Sequence, residues 1–325
     1  MRAAWYEKKG PAAKVLETGE MDAPVPGPGE VRIRLRYSGI NPGDVKKRRP
    51  WLGAEQMPYP RVVPHNDGSG VVDLLGPGTP AELLGRRVWC SYAQSYRPFG
   101  TAAEYTTVPA HCVGPLPDEV GAEQGACLGI PGITAHRAVF ADGPVTGRTV
   151  LVAGGRGAVG RSAVALAARG GARVIATVTG PPEPVPGADH VLTAGDDLAD
   201  RVRDLTGGRG VDRIVEVAFD ANVTLDAELL AQGGTLAAYA TAEPASPLPF
   251  WPLAFANATV RLLGYDDFPP DAVRAAIKDV TAAAAADDLR HPIAETFGLE
   301  AIAAAHEALE HPSTGHGRIL LSLPS

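Results

Sequence analysis

Four glycines crowd the stretch VLVAGGRGAVGRSA, at Gly154, Gly155, Gly157 and Gly160, although an ordered glycine loses more backbone entropy than any other residue. Gly155, Gly157 and Gly160 stand in G-x-G-x-x-G register between an apolar run and a small-residue segment of helical spacing. That pattern suits a dinucleotide. It gives a tight turn, room for the backbone to approach pyrophosphate oxygens, and a closely packed helix whose N-terminal N–H groups and dipole face the anion. Ala158 and Val159 complete the turn, and Arg156 within it is expected to be an exposed loop charge. The next apolar run ends in Thr177, Val178 and Thr179, without the Asp or Glu that would bond an adenine ribose 2′-hydroxyl in an NAD site. NADPH is therefore favoured over NADH. The stretch that follows, TGPPEPVPGADH, brings no Arg or Lys to meet a 2′-phosphate, which weakens that preference.

Such a turn must be placed by a strand before it and a helix after it. From about Gly121 the chain alternates the two. RTVLVAG, ARVIATV, DHVLTAG, VDRIVEVA, GTLAAYA and TVRLLGY read as apolar strands, with GRSAVALAARG, LADRVRDLTG and VTLDAELLAQG between them at helical spacing. This is the pattern of a doubly wound parallel sheet. The first third differs: VRIRLRYSGI alternates Val31, Ile33 and Leu35 with Arg32, Arg34 and Arg36, the period of a half-buried strand. SGVVDLLG, RRVWCSYA and TAAEYTTV are further strands between glycine and proline turns, as in a mainly β or barrel-like domain. After Tyr265 come an alanine-rich helix, a second helix in LEAIAAAHEALEH and a last strand in GRILLSL. That tail is too short for a core of its own and is expected to pack on the N-terminal domain.

With 325 residues, 45% hydrophobic and 21% charged, the chain has the composition of a soluble globular protein of two domains. Its formal charge of −7 counts against a nucleic-acid or anionic-membrane surface. Cys90, Cys112 and Cys127 include no C-x-x-C pair, so neither a disulfide framework nor a cysteine-rich zinc site is indicated. The charged start MRAAWYEKKG and the absence of a long apolar run lead to the expectation of a cytoplasmic protein. Trp51, Tyr59, Tyr92 and Phe99 are loop aromatics able to line an apolar substrate pocket.

SGINPGD, PHNDGSGVV, LGIPGITAHRAV, GRGAVG, GVDRIVEV and AAAHEALEHPSTGHGRILL, in that order along nearly the whole chain, resemble the zinc-independent quinone oxidoreductase (zeta-crystallin-like) branch of the medium-chain dehydrogenase/reductase superfamily. The resemblance implies an α/β protein with a GroES-like mainly β domain and a Rossmann doubly wound parallel-sheet domain. The expected boundaries are 1–122 for the first, 123–265 for the second, and 266–325 for a segment returning to complete the first. It implies NADPH in the cleft between them, and hydride transfer to quinones, conjugated enones or enoyl esters. Asn41 and Asp44 match the family's N-x-x-D, which places Asn41 near substrate or nicotinamide ribose; Asp44 can equally hold its own loop. Thr134, Thr179, Ala240, Leu263, Gly264, Tyr265 and Arg318 fall on cofactor-contacting stretches of the family.

The departures matter as much. Zinc-dependent cousins use a Cys near Ser38 to Asp44 and a His beside a Glu near the PHNDG turn. Here the first segment has no Cys, and His65 lies one place before the register, where Asn66 stands. No zinc is expected, and His65 reads as a surface or hydrogen-bonding residue. Relatives carry a Tyr where this chain has Lys46, which can act as a general acid or belong to a solvated basic loop, Lys46 to Arg49. His136 and His306 read as structural. The resemblance also suggests a homodimer through the edge strand TVRLLGY. Three readings stay open: a reductase of a quinone or an activated conjugated double bond, a pathway-specific enone or enoyl-thioester reductase, and an NADPH-binding protein with a structural or RNA-binding role and little turnover.

Overall fold

The structure is a computed structural model that describes residues 1–50, 56–195, 197–311 and 317–324. The chain divides into two units: Met1–Ile130 with Val273–Thr281 and Arg290–Ser325, and Pro131–Ala272 with Ala282–Leu289. The fold is that of a GroES-like domain and a Rossmann domain.

In unit 1, β1 (Arg2–Trp5) and β2 (Glu17–Glu20) flank the short α1 (Ala12–Val15) and pair antiparallel. The main sheet is built on β3 (Glu30–Ile40), with α2 (Pro42–Lys47) following it, then β4 (Asp67–Leu75), β5 (Arg87–Cys90), β6 (Tyr105–Pro109), β7 (Val113–Pro115) and α3 (Ala122–Gly125). The alternation read in β3 is realised: Val31, Ile33 and Leu35 are buried while Arg34 and Arg36 are exposed. One face of the strand therefore meets the core and the other meets water.

Unit 2 takes in most of α4 (Gly129–Phe140), then β8 (Thr149–Val152), α5 (Ala158–Arg169), β9 (Arg173–Val178), β10 (His190–Thr193), α6 (Leu198–Thr206), β11 (Val211–Glu216), α7 (Phe219–Leu229), β12 (Leu230–Ala238), α8 (Phe250–Phe255) and β13 (Thr259–Leu262). Its strands lie parallel in the order β10-β9-β8-β11-β12-β13. The winding reverses between β8 and β11, the switch point at which such sheets bind ligands beyond the carboxyl ends of their strands. Leu151, Ile175, Ile214 and Leu236 from four strands are buried against Val202, Val223 and Leu229 of the helices. That two-sided burial is why these strands read as unbroken apolar runs.

The alanine-rich helix is α9 (Pro270–Ala285), with proline in its first turn, where a missing N–H costs nothing. The tail holds one more strand than its sequence suggests. β14 (Ile293–Gly298) precedes α10 (Ile302–Glu310) and pairs parallel with β15 (Arg318–Ser322), which in turn pairs antiparallel with β3. β14 is an edge strand with most of its side chains in solvent, so no apolar alternation marks it.

Candidate active site

In unit 2 the sheet brings the expected cofactor residues to one edge. Gly155 follows β8, Thr179 follows β9, Ala240 follows β12, and Leu263, Gly264 and Tyr265 follow β13. Because the strands are parallel, all these positions share the carboxyl end of the sheet. Thr179 and Gly264 are exposed; Ala240, Leu263 and Tyr265 are half-buried. The glycine turn is shaped by close approach. Gly154 has φ +66, a conformation that side chains disfavour, and the Gly155 N–H donates to the Thr177 carbonyl at 2.8 Å. A Cβ at Gly160 would lie 2.1 Å from the Gly154 carbonyl oxygen, and one at Gly155 2.8 Å from the Ala176 Cβ. Gly157 caps α5, and Ala158, Val159 and Gly160 form its first turn, whose N–H groups have no partner within the helix.

Thr134, buried on α4, makes no side-chain bond to its helix backbone: its Oγ1 has no hydrogen-bond partner. An orphaned buried hydroxyl and a cradle closed to any Cβ both fit a dinucleotide. Arg156 is not an exposed loop charge. Its side chain is 15% exposed, and its Nη2 donates to the Pro181 carbonyl at 2.6 Å and the Glu183 carbonyl at 3.4 Å.

Unit 1 holds a buried polar cluster centred on Asn41, which precedes α2. Its backbone N–H donates to Asp44 Oδ2 at 2.8 Å and its Nδ2 to Asp67 Oδ2 at 2.7 Å, while its Oδ1 accepts from Arg318 Nη1 at 2.9 Å. An acceptor on one side and a cation on the other set which way the amide points. One Nδ2–H is left over. Asp67 is wholly buried and also accepts from Ser91 Oγ at 2.6 Å and from the Ile130 N–H at 2.9 Å. Arg318 is buried too; its Nη2 lies 3.8 Å from Asp67 Oδ2, and neither Nε nor Nη2 has a hydrogen-bond partner. Asp44 is turned inward, onto Asn41 and Asn66. Burial and the nearby Asp67 carboxylate push its carboxyl up to about 7.

Beside this cluster runs a chain of hydrogen bonds whose direction can be deduced. Thr101 Oγ1 donates to the Asp67 carbonyl at 2.7 Å, so its oxygen accepts from Ser38 Oγ at 2.7 Å. Ser38 then accepts from His65 Nδ1 at 2.9 Å. Burial holds both His65 and His306 below the ordinary imidazole value, His306 down to about 3, so each ring carries one N–H. His65 Nε2 therefore accepts from His306 Nε2 at 2.8 Å, and His306 Nδ1 accepts from Arg48 Nε at 3.4 Å. A guanidinium begins the chain and a carbonyl ends it. The guanidinium does not give up its proton near neutral pH and the carbonyl does not take one on, so the chain orients groups and carries no proton. It also holds His65 at φ +77, directly before Asn66 and Asp67.

These residues do not fit a zinc ion. Both nitrogens of His65 are engaged, by Ser38 and His306, which leaves neither open to a metal. Among the described residues no group of three His, Cys, Asp or Glu side chains is placed to hold a metal.

Lys46 is exposed on α2. Its run is not a solvated loop, however: it is helical through Lys47, and Arg48 is wholly buried, 2.6 Å from Glu310. Among the aromatics, Tyr59 packs on a small cluster of Tyr6, Val15 and Val62, and its hydroxyl donates to the Tyr96 carbonyl. Tyr92 is buried, with φ +64, and Trp51 lies outside the described residues. Asp67, Ser91 and Thr101 were not singled out by the sequence as site residues. Asp67 and its neighbours stand within PHNDGSGVV, but nothing local announces their partners.

Residues 27–118 match the alcohol dehydrogenase GroES-like domain and residues 158–282 the zinc-binding dehydrogenase family. A quinone oxidoreductase of Homo sapiens is 27% identical over 98% of this chain and 96% of its own length. That of Rattus norvegicus is 31% identical over 70% of this chain and 69% of its own. A solved mycobacterial structure complexed with NADPH, 28% identical, superposes with a TM-score of 0.82 over 99% of each chain.

Proposed function

The chain belongs to the zeta-crystallin-like quinone oxidoreductase family and is an oxidoreductase, and on that premise we propose that it is a zinc-free, NADPH-dependent reductase of quinones or of carbon–carbon double bonds conjugated to a carbonyl. The observation that carries the reading is the glycine cradle, where Gly160 approaches Gly154 too closely for any side chain. NADPH, when bound, supplies a hydride from its nicotinamide ring. The open N–H groups of the first turn of α5 would hold its pyrophosphate. Thr134 would offer its unpartnered hydroxyl as a further donor.

On the substrate side, Asn41 is held by Asp67 and Arg318 with one Nδ2–H to spare. That donor would polarise a carbonyl oxygen, and because its orientation is set beforehand, little reorganisation is needed as charge develops. Hydride addition to a conjugated carbonyl puts the negative charge on that oxygen. A proton must follow, from solvent or from Lys46, whose ammonium would act as general acid. Asp44 acts through Asn41, whose backbone N–H it holds. The described helices include none long and apolar enough to cross a membrane, and a small-molecule substrate in the cytoplasm fits the reading.

We assign the homodimer to the open edge of β13. That strand ends the sheet, and Phe250, Trp251, Phe255 and Leu262 are exposed on it and on the adjoining α8. A second copy would cover them and give β13 a neighbour; Leu262→Glu should then yield monomers in sedimentation.

The functional test is a titration with NADPH and NADH, followed by oxidation of bound cofactor against quinones, enones and enoyl thioesters. Turnover of quinones or enones with NADPH is the expected result, with kcat reduced about 100-fold in Lys46→Ala if Lys46 delivers the proton. Turnover confined to enoyl thioesters would assign a pathway-specific reductase, and tight cofactor binding without oxidation a non-catalytic protein.

A further inference from the structure

In dinucleotide sites of this topology the adenine ribose 2′-position is read just beyond the second strand. Here that is the stretch after β9, from Thr179 onward, and it carries no Arg or Lys as far as His190. The structure brings one in from elsewhere. Arg156 reaches out of the glycine turn to this stretch, donates to the Pro181 and Glu183 carbonyls, and lies 3.4 Å from Glu183 Oε2. Glu183 is otherwise in solvent, its side chain 75% exposed.

A second arginine stands close by. Arg161 lies one turn into α5, its backbone N–H bonded to the Gly157 carbonyl at 2.8 Å. Its side-chain Nε is buried and has no hydrogen-bond partner. Burial and the charge of Arg156 hold its guanidinium below the ordinary arginine value. Two guanidiniums near enough to repel, one with a buried donor unused, are costly unless an anion joins them.

We propose that Arg156 and Arg161 together seat the 2′-phosphate of NADPH, so that the glycine turn itself selects the cofactor. The proposal rests on the dinucleotide reading of that turn. A phosphate dianion would accept from Arg161 Nε and from the nitrogens of Arg156 that do not hold the loop, and would displace the exposed Glu183 carboxylate as the local counter-ion. The carbonyls of Pro181 and Glu183 keep Arg156 in place beforehand, so little side-chain freedom is lost on binding. An Arg in the turn thus takes over the work of the missing base after β9.

The test is calorimetric binding of NADPH, NADH, 2′,5′-ADP and 5′-ADP to the full chain and to Arg156→Gln, Arg161→Gln and Arg156→Lys, with the melting temperature of each recorded. The parent should prefer NADPH and 2′,5′-ADP over their 2′-hydroxyl counterparts. Each Gln variant should weaken both phosphorylated ligands ~10- to 100-fold and leave NADH and 5′-ADP within about twofold. Arg156→Lys, which keeps the charge without the fork, should fall between and serves if a Gln variant fails to fold. Equal losses for all four ligands would mean that the arginines only brace the loop and would overturn the proposal, as would a parent that binds NADH as tightly as NADPH. Failure of the parent to bind any of the four would instead remove the dinucleotide reading on which it rests.

Discussion

Both units bury a pair of carboxyls, Asp44 with Asp67 in unit 1 and Glu216 with Asp226 in unit 2, and unit 1 buries a pair of imidazoles besides. In unit 1 the His65 and His306 rings stack at 5.1 Å and share a hydrogen bond. In unit 2 Glu216 ends β11 and accepts from the Ala218 N–H and Asn222 Nδ2, while Asp226 sits beside it, buried on α7. Burial and the Glu216 carboxylate push the Asp226 carboxyl well above the ordinary range. With no carboxylate beside them, the buried imidazoles stay neutral, and two carboxyls can share a site only if one keeps its proton. The imidazole pair therefore weakens unit 1 in acid, and the Glu216–Asp226 pair weakens unit 2 as pH rises.

The units also differ in how they treat polar groups. Unit 1 ties the Asn41, Asp67, Ser91 and Arg318 side chains to one another, with Arg318 Nε and Nη2 left over, while unit 2 leaves backbone and side-chain donors open around a turn made of absent side chains. The largest expected effect follows from the first. Asp67→Ala strips the acceptor from Asn41, Ser91, the Ile130 N–H and the Arg318 charge together, and should cost about 3–5 kcal/mol in chemical denaturation of the full chain. A loss under about 1 kcal/mol would show that the cluster is wetter than its burial implies. In unit 2, Gly160→Ala must push α5 off the turn, with an expected cost of about 1–3 kcal/mol and loss of NADPH binding by fluorescence titration. Retained affinity would break the account of the cradle.

The paired groups give smaller, pH-dependent effects. Below pH about 6.5 an unfolded imidazole gains a proton that the native His306 refuses until about 3, so native stability falls as pH falls through that window. The slope is roughly 1.4 kcal/mol per pH unit for each histidine. Asp44, raised to about 7, works the other way and gains stability as pH falls below 7, which masks part of the loss. His306→Gln keeps a donor toward His65 and an acceptor toward Arg48 but cannot ionise, and comparison with it cancels the Asp44 contribution. The parent's acid slope should exceed the variant's by one proton's worth; equal slopes would mean the ring is not held neutral.

Asp226 is the mirror case. Above the ordinary carboxyl value the unfolded chain has lost a proton that the native pair retains, so stability falls as pH rises toward the native value. Asp226→Asn removes that loss, and its unit 2 peptides should gain hydrogen-exchange protection over the parent at alkaline pH, by about 1 kcal/mol. No gain would place the shared proton elsewhere.

Much of the fold was readable locally. The buried parallel strands show as apolar runs and β3 as an alternation, because burial on two faces or on one leaves a period in the chain. The glycine turn was readable because hydrogen in place of a side chain is a local demand. Other elements left no such mark. β14 faces water, and Arg48 stands in a run, KKRR, that looks like any exposed basic segment. His65 and His306 are 241 residues apart, so only tertiary packing makes them partners.

The sequence alone determined the two kinds of sheet, their order along the chain and the position of the dinucleotide turn, because periodicity and glycine spacing are properties of neighbours. Which polar side chains satisfy one another was decided only in three dimensions. Asn41 became a fixed donor when Asp67 and Arg318 closed on it, and Arg156 became a candidate anion ligand when the loop after β9 folded against it. A hydrogen bond acquires its partner, direction and protonation state from burial, and burial is created by residues far away in the chain.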